Sequence, residues 1–462
     1  MSGAAGLRGR RALVLGLGRF SGGVETARFL VREGAEVLVS DASPREALQE
    51  SAAQAEQAGA RLVFGAQDAR LLEGRDLVVA SPAIPFEHPV LQAARQRDVA
   101  VTTEINLFLA RVRAPVLGVT GTKGKSTTSS LLASMLAARV AGTSRRVHLG
   151  GNVGRSLLNE LAAIAPDDLV VLELSSFQLW WTRSEGRAPH VALVTNLFPD
   201  HLDRHGTMEE YAAAKRAMLD LQRPGDVAVL PADDATVAQH GFHGAGPARR
   251  VAYGAGTDAR VEGEGLRLPG GAHVPLGRMR LWGAHNRRNA LAAACAALQV
   301  PGVTPAHVQA GAESTEPLPH RLQPVGEVAG VLYVDDSNAT TPQSAREALE
   351  AVPRPAIVLV GGKPKGVDVT PLVDALVRKA KALVTIGTSG PEVARLVAGR
   401  VRTVDGGPDM ASAVAAATAL AQPGDAVVLS PGYSSLDQYA SFAVRGDRFR
   451  AAVAALPGPR RP

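Results

Sequence analysis

The 462-residue chain is poor in cysteine, in aromatic residues and in lysine, and it has no long apolar run. Its single cysteine, Cys295, excludes disulfide bonds within the chain and fits a reducing compartment, so we expect a cytoplasmic protein. No apolar stretch approaches the roughly 20 residues that cross a bilayer. The short apolar run near the N-terminus does not have the length or the cleavage site of a secretory signal. These absences favour a soluble enzyme without a membrane span.

Aromatic residues make up only 4% of the chain, while the formal net charge is +6. Proteins that bind nucleic acids combine basic patches with aromatic side chains on which bases stack. The basic residues of this chain are dispersed among 44 acidic ones. We therefore expect no nucleic-acid partner and attribute the positive charge to anionic small substrates.

Lysine is scarce, with seven residues, although lysine and arginine together number 50. In so arginine-rich a chain, a lysine inside a motif suggests a role that an amine fills and a guanidinium does not. Five of the seven fall in the stretches described below.

The length predicts about three domains, because single cores stop growing near 250 residues. The first segment, residues 1–113, opens with a β-turn-α-β unit whose second strand, Ala35–Ser40, is followed by Asp41. Its glycines suit a phosphate at a helix N-terminus. Ser21 stands where the third glycine of G-x-G-x-x-G belongs. Two interpretations stay open: a nicotinamide dinucleotide site with Asp41 on a ribose, and a Rossmann-like element without a dinucleotide, which we favour.

The second segment, residues 114–317, begins with the strand Ala114–Val119 and the sequence Thr120–Thr127 (TGTKGKST), which leads into an apolar helix. Its glycines allow successive backbone N–H groups to face an anion. Lys125 can reach the β- and γ-phosphates of ATP, and the Ser126 hydroxyl can ligate Mg²⁺. Val119 occupies the first glycine position of the strict phosphate-loop motif. The pattern still predicts an ATP site.

Two further polar clusters follow apolar strands in this segment, where open α/β sheets place their active sites. They are Glu173 and Asp200-His201. A sequence typical of a capping box then opens a helix that carries Tyr211 and Lys215 on one face. Taken singly, such a histidine is more often structural and such a lysine more often solvated. Together with a phosphate loop, they predict that the side of the ATP site opposite this loop holds a metal ion.

The third segment, residues 318–462, follows a proline-rich hinge at Thr315–Pro319 and again alternates strands with helices. This alternation predicts another α/β domain. The expected fold class is therefore α/β with three domains. They are an N-terminal Rossmann-like domain, a central parallel sheet like that of P-loop ATPases, and a C-terminal Rossmann-like domain.

The ordered set of motifs resembles the Mur ligases, whose relatives include folylpolyglutamate synthase. The motifs are Thr120–Thr127, Glu173–Leu179 (ELSSFQL), Asp200-His201, Tyr211-x-x-x-Lys215, His285–Asn289 (HNRRN) and Leu318–Arg321 (LPHR). Three stretches are most similar to the members that add D-glutamate: Ser81–Val90 (SPAIPFEHPV), Leu172–Leu179 (LELSSFQL) and Ser430–Phe442 (SPGYSSLDQYASF) followed by Arg445-Gly446. Any one motif is weak evidence, but the ordered set covers essentially the whole chain and is specific.

The resemblance implies an ATP-dependent, Mg²⁺-requiring ligase that forms an acyl phosphate and acts as a monomer. Its substrates would be UDP-N-acetylmuramoyl-L-alanine and D-glutamate, in the cytoplasmic synthesis of peptidoglycan precursors. A Mur-type ligase for L-glutamate or another acceptor, and a ligase like folylpolyglutamate synthase, stay open as alternatives. A dehydrogenase would leave the phosphate loop without a role, and a non-catalytic nucleotide switch would leave Glu173, His201 and Lys215 without one.

The resemblance also implies roles for residues at the matching positions. The catalytic residues would be Lys125, Glu173, His201 and Lys215, with Lys215 carbamylated. The ATP-binding residues would be Gly121, Thr122, Lys123, Gly124, Lys125, Ser126, Thr127, Asn286, Asn289, Arg321 and Asp336. The metal would be held by Ser126, Glu173, His201 and Lys215. The UDP substrate would contact Ser21, Asp41, Asn152 and Ser175, and the amino acid would contact Thr340, Lys365, Ser435 and Phe442.

Three departures from the family pattern affect these assignments. The first glycine loop is one residue longer than usual. Asn338 stands where many members have a lysine, and Gly432-Tyr433 replaces small residues before the S-L-D-Q sequence.

Overall fold

The computed structural model describes residues 6–18, 22–65, 67–153, 156–183 and 187–461 of the chain. The chain forms two compact units. The first comprises residues 1–277 and 288–313, and the second comprises residues 278–287 and 314–462. Within the described ranges, no helix combines the length and the apolar character that a bilayer crossing requires.

The N-terminal part of the first unit is a five-stranded parallel sheet. Its strands are β1 (Arg11–Leu15), β2 (Glu36–Asp41), β3 (Arg61–Phe64), β4 (Leu77–Ala80) and β5 (Ala100–Thr102), in the order β3-β2-β1-β4-β5. Its helices are α1 (Gly22–Arg32), α2 (Gln49–Gln57), α3 (Pro89–Gln96) and α4 (Glu104–Arg111). Strand β1 is buried on both faces, which explains its continuous apolar sequence. The strand order reverses between β1 and β4, so a ligand is expected beyond their carboxyl ends.

The central part of the first unit is a six-stranded parallel sheet. Its strands are β6 (Val116–Thr120), β7 (Val147–Gly151), β8 (Leu169–Glu173), β9 (Val191–Val194), β10 (Val227–Pro231) and β11 (Arg249–Tyr253), in the order β11-β10-β9-β6-β8-β7. The helices of this stretch of chain are α5 (Lys125–Val140), α6 (Ser176–Thr182), α7 (Leu202–His205), α8 (Met208–Asp220), α9 (Ala235–Gln239), α10 (Ala284–Ala297) and α11 (Pro305–Ser314). Because β8 and β9 flank β6 on opposite sides, the switch point lies at the carboxyl end of β6.

A small antiparallel sheet precedes α10 in the chain. Its strands are β12 (Arg260–Glu262), β13 (Gly265–Arg267) and β14 (His273–Pro275). Gly263 has a φ of +58° in the tight turn between β12 and β13, a conformation that favours glycine. This Gly- and Pro-rich region therefore forms a short meander.

The second unit contains a seven-stranded mixed sheet. Its strands are β15 (Gln323–Val328), β16 (Val331–Asp335), β17 (Ala356–Gly361), β18 (Ala380–Ile386), β19 (Arg402–Asp405), β20 (Ala426–Leu429) and β21 (Arg460–Arg461), in the order β19-β18-β17-β20-β16-β15-β21. Strand β15 pairs antiparallel with β16 and β21, and the other pairs are parallel. Its helices are α12 (Pro342–Ala351), α13 (Thr370–Lys379), α14 (Gly390–Leu396), α15 (Met410–Leu420) and α16 (Phe442–Ala455).

Helices cover both faces of this mixed sheet. The strands carry apolar residues on both faces, and each face must be buried. Alternate residues of β17 enter different cores: Ile357 packs with Val384 and Val427, while Val358 packs in the other core. Because both faces are buried, the strands read as unbroken apolar runs.

The large sheets confirm the predicted α/β fold with parallel sheets, and each lies within one of the three segments predicted from the sequence. The segment ends at residues 113 and 317 stay predictions.

Contacts inside the first unit join its N-terminal and central sheets. Asn106 on α4 donates to the carbonyl of Trp181 at 3.1 Å and accepts from Thr182 Oγ1 at 3.0 Å. The ring of Phe86 lies with its centroid 4.3 Å from those of both Trp180 and Trp181. These contacts hold together the two walls of a cleft described below.

Candidate active site

A glycine-rich loop of residues 121–124 connects the carboxyl end of β6 to α5. Gly121 and Gly124 have φ values of +143° and +78°, where an L side chain is strained. A Cβ atom at Gly121 would lie 2.0 Å from Thr195 Oγ1, and one at Gly124 would lie 2.5 Å from Asn289 Oδ1. The loop leads into the N-terminus of the 16-residue helix α5, whose first-turn N–H groups and dipole can face an anion, as in a phosphate loop.

Polar side chains of this loop contact the neighbouring elements. Thr122 Oγ1 lies 3.0 Å from the Tyr211 hydroxyl, and Lys123 Nζ lies 3.4 Å from Asp200 Oδ2. The next two predicted ATP-binding residues lie half-buried in the first turn of α5: Ser126 and Thr127. The structure thus places all of the predicted phosphate-loop residues at one edge of the central sheet.

Two lysines from different helices donate to the same backbone oxygen of the loop. Lys125 Nζ lies 3.0 Å from the carbonyl oxygens of both Gly121 and Thr122. Lys215 Nζ, from α8, lies 2.8 Å from the Gly121 carbonyl oxygen and 4.8 Å from the centre of the Tyr211 ring. The predicted pair of active-site lysines therefore meets at Gly121.

Lys215 is among the largest fully buried side chains of the described part of the chain, with an exposed fraction of 1%. Burial holds the pKa of its amine well below the ordinary value, and the charge of Lys125 lowers it further, against smaller opposing effects of Asp200 and Glu173. A buried amine of lowered pKa is neutral more of the time, which makes it a nucleophile.

Glu173, at the carboxyl end of β8, is buried with an exposed fraction of 1%. Its Oε1 accepts a hydrogen bond of 2.8 Å from Asn152 Nδ2. Its Oε2 is buried without a hydrogen-bond partner among the described residues. An unpartnered buried carboxylate oxygen is costly unless a cation balances it, so Glu173 fits the predicted role of a metal ligand.

His201 precedes α7 and has a φ of +54°. Its side chain is half-exposed, with Nε2 3.9 Å from Asp200 Oδ2 and its ring centroid 5.0 Å from that of Phe177. No group of three or more histidine, cysteine, aspartate or glutamate side chains that could hold a metal occurs in the described part of the chain. Of the predicted magnesium ligands, only Glu173 and His201 belong to these residue types.

A cleft of about 490 Å³ lies between the two sheets of the first unit. Glycines at the carboxyl end of β1 and the start of α1 line one wall, and Asn152 and Ser175 line the other. Ser175 also caps α6: its Oγ accepts from Gln178 N at 3.2 Å, and the Gln178 side chain accepts from Ser175 N at 2.9 Å. Because Asn152 also donates to Glu173 at the end of β8, which pairs with β6, the cleft reaches the strand ends at which the phosphate loop begins.

Of the two UDP-substrate residues predicted in the N-terminal segment, the structure describes Asp41 but not Ser21. Asp41 Oδ2 accepts hydrogen bonds of 2.9 Å from the backbone N–H groups of Leu17 and Gly18, and its Oδ1 accepts one from Ser43 N at 2.9 Å. Asp41 therefore shapes the glycine loop, and its contact with a substrate stays a prediction. Ser21 lies outside the described residues.

The remaining predicted ATP-binding residues lie on α10 and in the second unit. Asn286 and Asn289 are buried on α10, where Asn286 Nδ2 donates to the Trp282 carbonyl at 2.8 Å. Arg321 is the last residue of the LPHR sequence, which lies in the second unit. Asp336 accepts from Leu322 N at 3.1 Å and Ser430 Oγ at 2.7 Å. Burial raises the pKa of Asp336 to about 7 despite these hydrogen bonds.

The predicted amino-acid-binding residues all lie in the second unit. Lys365 Nζ donates to Thr340 Oγ1 at 3.2 Å, on an exposed loop after β17. Ser435 is buried, whereas the side chain of Phe442, at the start of α16, is 37% exposed. The structure thus brings Lys365 and Thr340 together, and the roles of all four residues stay predictions.

Two buried polar side chains near these groups carried no predicted role. His205 Nε2 lies 3.0 Å from Ser176 Oγ, and burial lowers the pKa of His205 to about 4. Arg445 Nε donates to Ser337 Oγ at 3.0 Å, and its Nη2 donates to the Ser337 and Tyr433 carbonyls at 3.0 and 3.2 Å. Of these two residues, only Arg445 could have been found from the sequence, because it belongs to the Arg445-Gly446 pair noted above.

Comparisons with known proteins agree with this geometry. Family models match residues 10–103 (Mur ligase MurD-like, N-terminal domain), 119–297 (Mur ligase middle domain) and 320–432 (Mur ligase, glutamate ligase domain). The chain is 39% identical to the UDP-N-acetylmuramoylalanine–D-glutamate ligase of Symbiobacterium thermophilum, over 96% of this chain and 98% of that protein. It is also 39% identical to the ligase of the same name from Myxococcus xanthus, over 97% and 99% of the two chains.

A solved structure shares the fold at lower identity. The UDP-N-acetylmuramate-alanine ligase MurC of Thermotoga maritima matches with a TM-score of 0.61 and 17% identity, over 96% of this chain and 99% of that one. With its phosphate loop, its paired lysines and relatives that match along nearly the whole chain, this protein belongs to the Mur ligase family and is an ATP-dependent ligase.

Proposed function

We propose that the chain joins D-glutamate to UDP-N-acetylmuramoyl-L-alanine, with cleavage of ATP to ADP and phosphate, in the synthesis of peptidoglycan precursors. The relatives that match over nearly the whole chain bear the name of this activity. We further propose that the reaction takes place in the cytoplasm and that the enzyme acts as a monomer.

One observation carries the proposal: Asn152 belongs to two sites at once. It lines the cleft of the first unit, and it donates to buried Glu173. A nucleotide-sugar substrate in that cleft would therefore end beside the phosphate loop. A carboxylate at that end of the substrate would face the γ-phosphate of ATP.

The chemistry follows from the weakness of a carboxylate as an acylating agent. Its oxygen attacks the γ-phosphate of ATP, the bond from that phosphorus to the β-phosphate oxygen breaks, and an acyl phosphate and ADP result. The amine of glutamate then attacks the acyl carbon, loses a proton and expels phosphate. Lys125 and the N–H groups of the first turn of α5 would offset the negative charge that develops on the transferred phosphoryl group and so stabilise that transition state; the position of Lys125 against the loop supports this role.

Mg²⁺, when bound, offsets the charge of the ATP phosphates. In this proposal Ser126, Glu173, His201 and a carbamate on Lys215 hold it. The unpartnered buried Oε2 of Glu173 supports this assignment. A carbamate on Lys215 would add two hard oxygens, which Mg²⁺ prefers to an ammonium group.

The acceptor site is proposed on the second unit. The Lys365 ammonium would bind one carboxylate of glutamate and the Ser435 hydroxyl the other, while Phe442 packs on the methylenes. The half-exposed ring of Phe442 and the exposed Lys365 loop support this placement. Thr340, which contacts Lys365, would orient its amine.

The direct test supplies the full-length protein with ATP, Mg²⁺, UDP-N-acetylmuramoyl-L-alanine and one amino acid at a time. Phosphate release and the ligated product are both measured. We expect D-glutamate to be the best acceptor, with one phosphate released per product. A better rate with L-glutamate or a different amino acid would reassign the chain to another Mur-type activity, and activity only with a folate would reassign it to the folylpolyglutamate synthase group.

A further inference from the structure

Arg204, on α7, lines the cleft of about 490 Å³ in the first unit. Among the described residues that line this cleft, it is the only cation, and Glu104 is the only carboxylate. Arg204 was given no role by the sequence motifs. A cleft that accepts an anionic substrate needs positive charge, so this arginine requires an explanation.

The guanidinium of Arg204 is held in place from two sides. Its Nη2 donates to the carbonyl of Ala83 at 2.9 Å, and its central carbon lies 5.1 Å from the centre of the Phe177 ring. A guanidinium has five N–H donors, and the Ala83 carbonyl takes one of them. The described part of the chain gives it no carboxylate partner. The group is therefore oriented, with donors left for a ligand.

The Ala83 contact places Arg204 beside the first glycine loop. Ser81, two residues before Ala83, donates its backbone N–H to the Leu15 carbonyl at 2.9 Å. A Cβ atom at Gly16 would lie 2.9 Å from Ser81 Cβ, so the two loops are in direct contact. The N-terminus of α1, which begins at Gly22, lines the same cleft and carries the positive end of a helix dipole.

Glu104 hydrogen-bonds to another residue of the cleft rather than to Arg204. Its carboxyl accepts a short hydrogen bond from Ser156 Oγ, on the opposite wall of the cleft. Burial raises the pKa of Glu104, while the Ser156 hydrogen bond lowers it. The donors of Arg204 are therefore not occupied by this carboxyl group.

We propose that Arg204 binds the diphosphate of the nucleotide-sugar substrate, opposite the N-terminus of α1, and so sets the position of that substrate along the cleft. The assignment rests on the proposed function, because it needs a diphosphate-bearing donor in this cleft. The planar fork of arginine matches phosphate oxygens, and charge-assisted hydrogen bonds of this kind are the strong ones. A purely structural clasp between Arg204 and Ala83 is the alternative that the experiment must separate.

The chain offers a matched control for the test. Arg183 also stacks on an aromatic ring, 5.6 Å from the centre of Trp180, but it pairs with Glu210 at 3.3 Å and does not line the cleft. Arg183→Met and Arg204→Met therefore remove the same charge and retain the same apolar stem.

The experiment titrates the full-length protein and its variants with UDP and, separately, with uridine, which has no phosphate. We expect Arg204→Met to weaken UDP binding about 10-fold to 100-fold and to leave uridine binding unchanged. Arg204→Lys should retain part of the UDP affinity, and Arg183→Met should bind both ligands as the wild type does. Thermal unfolding verifies that each variant is folded. If Arg204→Met does not fold, the comparison of UDP with uridine is made with Arg204→Lys alone.

Two results would overturn the assignment. If Arg204→Met binds UDP as tightly as the wild type, or loses affinity for UDP and uridine equally, Arg204 is a structural clasp. If the wild-type protein itself does not prefer UDP to uridine, the proposed donor is wrong and the role of Arg204 falls with it.

Discussion

Replacing Lys215 by alanine should nearly abolish activity, and short carboxylic acids should restore it. Lys125 and Lys215 donate to the Gly121 oxygen at 3.0 and 2.8 Å, so their nitrogens are no farther apart than the sum of those distances, 5.8 Å. Two ammonium groups at that separation repel each other by about 3 kcal/mol at an effective dielectric constant near 20. Carbamylation of Lys215 reverses one sign and turns this repulsion into attraction.

The burial of Lys215 predicts what Lys215→Ala does to the fold. Truncation removes three buried methylenes, worth about 2 kcal/mol of burial, and the hydrogen bond to the Gly121 carbonyl, worth about 1 kcal/mol. We therefore expect a folded variant that is less stable than the wild type by about 3 kcal/mol. Its rate should fall by roughly 10²- to 10³-fold, because a charge-stabilising group is missing from the site.

The assay follows phosphate release by Lys215→Ala in the presence of acetate, propionate or ethylamine. Rescue by the carboxylic acids and not by the amine supports the carbamate, and labelled CO₂ should give a carbamate signal by NMR in the wild type only. The matched control is Lys379→Ala, an exposed lysine on α13 that should respond to neither additive. Rescue by ethylamine alone would show that Lys215 acts as a cation and would refute the carbamate.

Three further predictions concern the loop lysine, the acceptor site and a buried carboxyl group. Lys125→Ala should lose roughly 10²- to 10³-fold in phosphate release while its thermal unfolding stays close to that of the wild type; near-normal turnover would remove the ATP-site assignment. Lys365→Met should raise the KM for the amino acid far more than the KM for ATP, whereas Lys363→Met on the same loop should change neither; equal effects on both KM values would make Lys365 an ordinary surface residue. The folded-state pKa of Asp336 lies above its unfolded value, so the folded state holds the proton more tightly and stability falls as the pH rises from 3.8 to about 7. Urea unfolding should therefore show the wild type losing up to roughly 4 kcal/mol relative to Asp336→Asn across that range, and a difference independent of pH would contradict the prediction.

The fold and the phosphate loop could be predicted because their signals are local. Apolar strands that end in glycine and lead into helices specify parallel sheets, and the Thr120–Thr127 sequence contains its own glycines and lysine. The positive φ values of Gly121 and Gly124 follow from the same short stretch. Local patterns of this kind require no knowledge of distant residues.

The features that could not be predicted depend on residues far apart in the chain. Glu173 Oε2 lacks a hydrogen-bond partner among the described residues, while Asn152 donates to Oε1. Asn152 and Glu173 are 21 residues apart, so the sequence does not indicate this contact. The contact of Arg204 with Ala83 spans 121 residues. Asp41 was predicted to meet a substrate, yet its hydrogen bonds to a loop 23 and 24 residues earlier depend on the packing of β1 against β2.

We expect this enzyme to activate a carboxylate by phosphorylation before the amine attacks. The most direct test supplies UDP-N-acetylmuramoyl-L-alanine labelled with oxygen-18 in its free carboxylate, together with ATP, Mg²⁺ and D-glutamate, and analyses the released phosphate by mass spectrometry. An acyl phosphate transfers one carboxylate oxygen to phosphorus, so each phosphate formed with product should carry one labelled oxygen. Phosphate without label, released in step with product, would contradict the mechanism.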